Sequence, residues 1–162
     1  MAIEKEEAVA NTSSLIFLAK IGALYLAKKL FTHFLVPEEV AQEILEKDTA
    51  EVVLLQEEFS SFLKKVPVKN TLMMPLGIGE RAAISYCLEE KIFFFLSDDL
   101  AARSYAHSLN IKTIGVIGIL LTSFKRKIIT KNEFLDFFEK LHNANYYMSH
   151  QLYAEVMKEI DR

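Results

Sequence analysis

Two kinds of apolar run alternate along this chain. Short runs that stop at polar residues read as strands buried on both faces, and longer runs with three- and four-residue apolar steps read as helices. Ala8-Val9-Ala10 ends a first strand, and Asn11-Thr12-Ser13-Ser14 follows as a turn rich in capping residues. Residues 15–30 predict one largely buried helix, with Gly22 as a break or close-packing point. Residues 33–36 predict a second strand. Pro37 suits the first position of the next helix, where Glu38 and Glu39 complement the dipole. Helical spacing resumes at Thr49 and runs to about Leu63 through Val52, Val53, Leu55, Phe59 and Phe62. Residues 66–75 read as an irregular connection with room for a short extended piece.

Gly77-Ile78-Gly79-Glu80-Arg81-Ala82-Ala83-Ile84 opens a helix that runs to about Glu90. The apolar run Ile92-Phe93-Phe94-Phe95-Leu96 predicts a strand, residues 100–109 a helix and residues 111–114 another strand. An apolar helix starts at Gly115 and ends near Lys125-Arg126-Lys127. Thr130 and Glu133 have capping-box spacing ahead of a helix over 134–142. A last helix begins near Ser149 and carries Leu152, Val156 and Ile160 on one face. Strands alternating with helices predict an α/β fold in which helical layers cover both faces of a short, mainly parallel sheet. No repeat or linker divides the chain, so residues 1–162 read as one domain. Ligands of such sheets bind beyond the carboxyl ends of the strands, and Asn11 and Asp98 both occupy such ends.

Composition narrows the class. Of 162 residues, 51% are hydrophobic and 25% charged, with Gly and Pro scarce, which excludes a disordered chain. A net charge of −3 argues against a general nucleic-acid coat protein, yet allows an enzyme whose acidic pocket takes up cations. The single cysteine, Cys87, excludes an internal disulfide and a cysteine-based zinc site. Its apolar neighbours make it a buried, inert thiol. Residues 1–7 are acidic where a secretory signal is basic, and the longest apolar stretch is broken by Lys20, Lys28 and Lys29. A soluble cytoplasmic protein with no membrane partner is expected.

The acidic residues carry the candidate chemistry. Glu80 opens a helix beside Gly79, Asp98 and Asp99 follow a strand, and Glu43 lies early in the helix after Pro37. Converging carboxylates hold hard divalent cations, and such cations handle phosphates. Three of these acids also have a plainer use: Glu80 complements a helix dipole, Asp99 caps the helix at Leu100, and Glu43 is an ordinary helical glutamate. Asn11 caps a helix equally well. The four histidines show no paired ligand spacing. Tyr146-Tyr147 could stack on bases, although a packed loop accounts for them more simply. The basic run at 125–127 with Lys131 could steer RNA or merely end a helix.

Five motifs in order resemble the PIN-domain family. They are Val9-Ala10-Asn11-Thr12-Ser13-Ser14-Leu15-Ile16, Val36-Pro37 with Val40 and Glu43, Gly79 to Ile84, Asp98-Asp99-Leu100-Ala101-Ala102-Arg103, and Ile114-Gly115-Val116-Ile117-Gly118-Ile119-Leu120-Leu121. The resemblance is to a prokaryotic branch of unknown function related to toxin–antitoxin ribonucleases, and it covers nearly the whole chain. It implies a compact α/β/α nuclease that cuts single-stranded RNA with Mg²⁺ or Mn²⁺. Carried over by position, it makes Glu80 and Asp98 the principal ligands, Glu43 and Asp99 supporting acids, and Asn11 a neutral ligand or water positioner. Thr12, Ser13 and Arg103 become candidates for binding substrate phosphate. Arg103 could equally pair with Asp99. An antitoxin-like protein inhibitor and a homodimer also follow from the resemblance.

Asn11 is the departure, since the family places an acid there. An amide oxygen can ligate a cation but adds no charge. Asparagine at this turn also fits the branch, so the expectation remains a nuclease. The alternative is a degenerate module that binds RNA or a protein without cutting. A phosphorylated receiver domain and an aspartate-nucleophile phosphatase are remote, because Asn11-Thr12-Ser13 lacks the acids that either needs after its first strand.

Overall fold

Strands β1 (Glu6–Ala10), β2 (Phe31–Pro37), β3 (Leu63–Val66), β4 (Phe94–Leu96) and β5 (Lys112–Ile114) form one parallel sheet in the order β3-β2-β1-β4-β5. This computed structural model describes residues 5–162, so the part of the acidic-leader expectation that rests on Glu4 lies outside it. The helices are α1 (Thr12–Lys20), α2 (Leu24–Leu30), α3 (Glu38–Leu45), α4 (Ala50–Glu58), α5 (Ile78–Glu90), α6 (Leu100–Ser108), α7 (Val116–Lys125), α8 (Lys131–Asn143) and α9 (His150–Ile160).

Side chains alternate across a strand, and here the alternation divides the core in two. Ala8, Ala10, Phe34, Val36 and Leu96 face a cluster built with α1 to α4 and α7 to α9. Val9, Leu35 and Phe95 face a smaller cluster with Ala83, Ile84 and Cys87 of α5 and Ala102 and Ala106 of α6. Helices therefore cover both faces of the sheet, as the three-layer expectation requires. β1 is central, with Val9 opposite Leu35 on one side and Phe95 on the other. The sheet grows from β1 in both directions, which makes the carboxyl end of β1 the topological switch point. Backbone bonds from Asn11 N to Leu96 O and from Ser97 N to Ile114 O, both 3.0 Å, extend the ladder into the turns above it. Asn11 and Asp98 are thereby fixed at one edge.

The structure departs from the pattern reading in three places. The helix expected over 15–30 is two, α1 and α2, separated at Gly22, whose φ of +72° ends α1. The helix expected to reach Leu63 stops at Glu58, and Leu63 begins β3. Phe62 and Leu63 are buried by β-sheet packing, so the three-residue step from Phe59 to Phe62 carries no helix. Pro37 closes β2 and caps α3 from outside; the helix itself begins at Glu38. Among the described residues no helix is long and apolar enough to cross a membrane.

Candidate active site

At the carboxyl edge of β1, Asn11 turns its side chain back to accept from Thr12 N at 2.9 Å and caps α1. The cap places the first turn of α1 over the end of the sheet. Thr12 then donates its hydroxyl to Glu43 Oε2 at 2.7 Å, and Gly79 N donates to Glu43 Oε1 at 3.1 Å. Glu43 is thus clamped between the starts of α1 and α5. The clamp needs a glycine: a Cβ on Gly79 would sit 2.6 and 2.9 Å from the two Glu43 oxygens. Glu80, the next residue, accepts from Gly77 N at 2.9 Å and so closes the first turn of α5.

Asn11, Thr12, Ser13, Glu43 and Glu80 line one open pocket of about 460 Å³ together with Glu46 and Lys47. Its lining holds more carboxylates than cations. Asp98 does not line it. Instead Asp98 Oδ2 accepts from Ser14 Oγ at 2.7 Å, while Oδ1 accepts from Val116 N at 3.1 Å and Tyr146 Oη at 2.6 Å. The start of α7 comes this close because residue 115 is glycine. A Cβ there would overlap Asp98 Oδ1 and lie 3.0 Å from Arg103 Nη1.

Asp99 caps α6 by accepting from Ala102 N at 2.8 Å and does not line the pocket. Arg103 does not turn to Asp99; its Nη1 donates to the Ser97 carbonyl at 3.0 Å. Ser13 is exposed at the pocket wall. In the basic run, Lys125 pairs with Glu159 and Lys131 with Asp161, which ties those lysines to α9. Burial, with the Asp98 carboxylate second, pushes the Tyr146 hydroxyl well above its ordinary value, so it remains a donor.

Tyr146 is the participant that pattern reading did not single out for this role. Its ring stands edge-on to Phe17, with centroids 5.1 Å apart, whereas Tyr147 is 84% exposed. The contact with Asp98 spans 48 residues of sequence, and no local spacing signals it. A cavity of about 710 Å³ lies between α8 and α9 and is predominantly apolar. Tyr146 lines it and bonds to Asp98, which joins it to the polar groups just described.

Among the described residues no three histidine, cysteine, aspartate or glutamate side chains gather closely enough to hold an ion together. The donor chemistry nevertheless suits a hard cation. Mg²⁺ keeps several waters and needs only one or two carboxylates, and Asn11, Glu43 and Glu80 put oxygen donors into one pocket.

A parallel sheet between helical layers, with a carboxylate-lined pocket at its switch point, defines a three-layer α/β/α protein with a polar site at its strand ends. The PIN-domain family model matches residues 7–162, and the chain belongs to that family. No curated relative matches it.

Proposed function

We propose that the chain is a divalent-metal-dependent endoribonuclease acting on single-stranded RNA, with Mg²⁺ or Mn²⁺ as its cofactor. The observation that carries this reading is the joint presence of Asn11, Glu43 and Glu80 in one open pocket at the carboxyl edge of a PIN-domain sheet. Glu43 and Glu80 would hold the hydrated cation, Asn11 would add a neutral oxygen, and Asp98 at the adjacent strand end would be the next acid. When bound, the ion supplies positive charge for the phosphate and a more acidic water.

The protein's own groups do the rest. Thr12 fixes the rotamer of Glu43, so that carboxylate needs little rearrangement on binding. Ser13 offers an exposed hydroxyl at the wall, and Lys47 in the same lining offers a charge for a phosphate oxygen. Asp99 serves the site indirectly by fixing the start of α6, from which Arg103 reaches Ser97. A toxin-like role would follow if a protein inhibitor of antitoxin type covered the pocket mouth.

The test is cleavage of an end-labelled, mixed-sequence single-stranded RNA with Mn²⁺, Mg²⁺ or EDTA, beside Glu80→Gln. Cutting that needs metal and vanishes in the folded variant is expected. Equal cutting by Glu80→Gln under matched metal and salt would remove Glu80 from the site. One observation favours a second reading, a module that binds RNA or protein without cutting: among the described residues no three acids come close enough to hold an ion together, and Asn11 supplies no charge. Gain of cleavage in Asn11→Asp would mark a weakened catalytic site rather than a repurposed one.

A further inference from the structure

The α8–α9 connection reaches into the acidic site at one atom. Asn145, with φ of +61°, reverses the chain after α8, and Tyr146 N returns to Leu141 O at 3.1 Å. The reversal aims the Tyr146 ring across Phe17 and sets its hydroxyl 2.6 Å from Asp98 Oδ1. Asp98 is already met by Ser14 Oγ and by Val116 N. A carboxylate offers about four acceptor positions, and a hydroxyl that donates to an ionised oxygen makes one of the stronger protein hydrogen bonds. Those donors occupy Asp98 while Glu43 and Glu80 face the pocket without it. The Glu43, Glu46 and Glu80 carboxylates of the pocket also repel an Asp98 carboxylate while no ion is bound, and Arg103 turns its Nη1 to the Ser97 carbonyl.

We infer that Tyr146 is a positioning residue that latches Asp98 out of the metal pocket, so the α8–α9 hairpin sets the metal affinity of the site. This rests on the proposed metal-binding role of the pocket. A cation that recruits Asp98 must displace the Tyr146 hydroxyl, and the strength of that bond is subtracted from its binding. Loss of the hydroxyl alone therefore favours the cation. Phe17 and the neighbouring apolar surface hold the ring itself, so Tyr146→Phe keeps the packing and removes one donor.

The test is Mn²⁺ binding to the full chain without RNA, followed by the electron paramagnetic resonance signal of free Mn²⁺. Wild type, Tyr146→Phe and, as the matched control, Tyr147→Phe are compared, each with and without Asp98→Asn. Tyr146→Phe is expected to bind roughly ten- to a hundredfold more tightly than wild type, the fold-change that corresponds to a hydrogen bond made to a charged group. The gain should disappear in the Asp98→Asn background, and Tyr147→Phe should match wild type. Equal affinity in Tyr146→Phe, with only a lower melting temperature, would make the contact structural and overturn the latch while the metal site stands. Weaker binding would overturn it in the other direction, because Tyr146 would then hold Asp98 in its ligating pose. No Mn²⁺ binding by any variant at millimolar metal would overturn both the latch and the metal site.

Discussion

Gly79 and Gly115 do the same work at opposite sides of the switch point: each lets a helix start approach a carboxylate that any Cβ would push away. Gly79→Ala should therefore cost about 1–3 kcal/mol through overpacking. It should also lower RNA cleavage about a hundredfold, since displacement of a reacting group by an ångström has that effect. Denaturant unfolding and the cleavage assay together check this. Unchanged cleavage in a folded Gly79→Ala would mean that the position of Glu43 does not matter to the reaction. Cys87 offers a contrasting residue-scale prediction. It is 2% exposed, and burial pushes its thiol up to about 12, so the neutral form persists across the working range. A thiol reagent at pH 8 should label it only after unfolding; rapid labelling of the native protein would contradict the burial. At this scale, sequence reading succeeded where the role was local: Asn11 and Asp99 cap the helices that they precede. It could not reach Tyr146, whose partner lies in another motif and is brought near only by the whole fold.

Helix ends explain much of what the pattern showed and hid. Thr130 and Glu133 form the reciprocal capping bonds, at 3.2 and 2.7 Å, that their spacing announced. Thr130→Ala should cost about 1 kcal/mol, lowering the melting temperature by about 2–4 °C for a chain of this size. Cleavage should be unaffected, because α8 begins away from the pocket. A large loss of cleavage with an unchanged melting temperature would point to a role for Thr130 beyond the cap. The opposite ends of α5, α6, α7 and α8 fall close to where the pattern puts them, although none carries a glycine stop: Lys91, Asn110, Lys127 and Asn145 take the left-handed conformation there, asparagine being the usual alternative to glycine. β3, by contrast, was hidden. It is a four-residue edge strand whose Lys64 and Lys65 are exposed, and only Leu63 of the strand is fully buried. Two charges on so short an edge carry no period that distinguishes a strand from the end of a helix, and they also guard the edge against pairing with another chain.

For the molecule as a whole, the proposed metal role of the acidic pocket would tie stability to cation binding. Glu43, Glu46 and Glu80 share one lining with Lys47 as its only basic residue, so folding brings like charges together and an ion that binds only the folded chain relieves them. Mass action sets the size of the effect: metal at a hundred times its dissociation constant stabilises by about 2.7 kcal/mol. At about 2–4 °C per kcal/mol for this chain length, saturating Mn²⁺ should raise the melting temperature by about 5–10 °C. EDTA should reverse the rise, and Glu80→Gln should shrink it, since that variant removes a charge from the lining without removing the Gly77 contact that closes α5. The signature is independent of any RNA sequence, so it separates a metal site with an untested target from a pocket that takes no metal. A wild-type melting temperature that stays constant from EDTA to millimolar Mn²⁺ would leave the fold of a nuclease without the ion its chemistry needs, and the binding-module reading would then account better for Asn11.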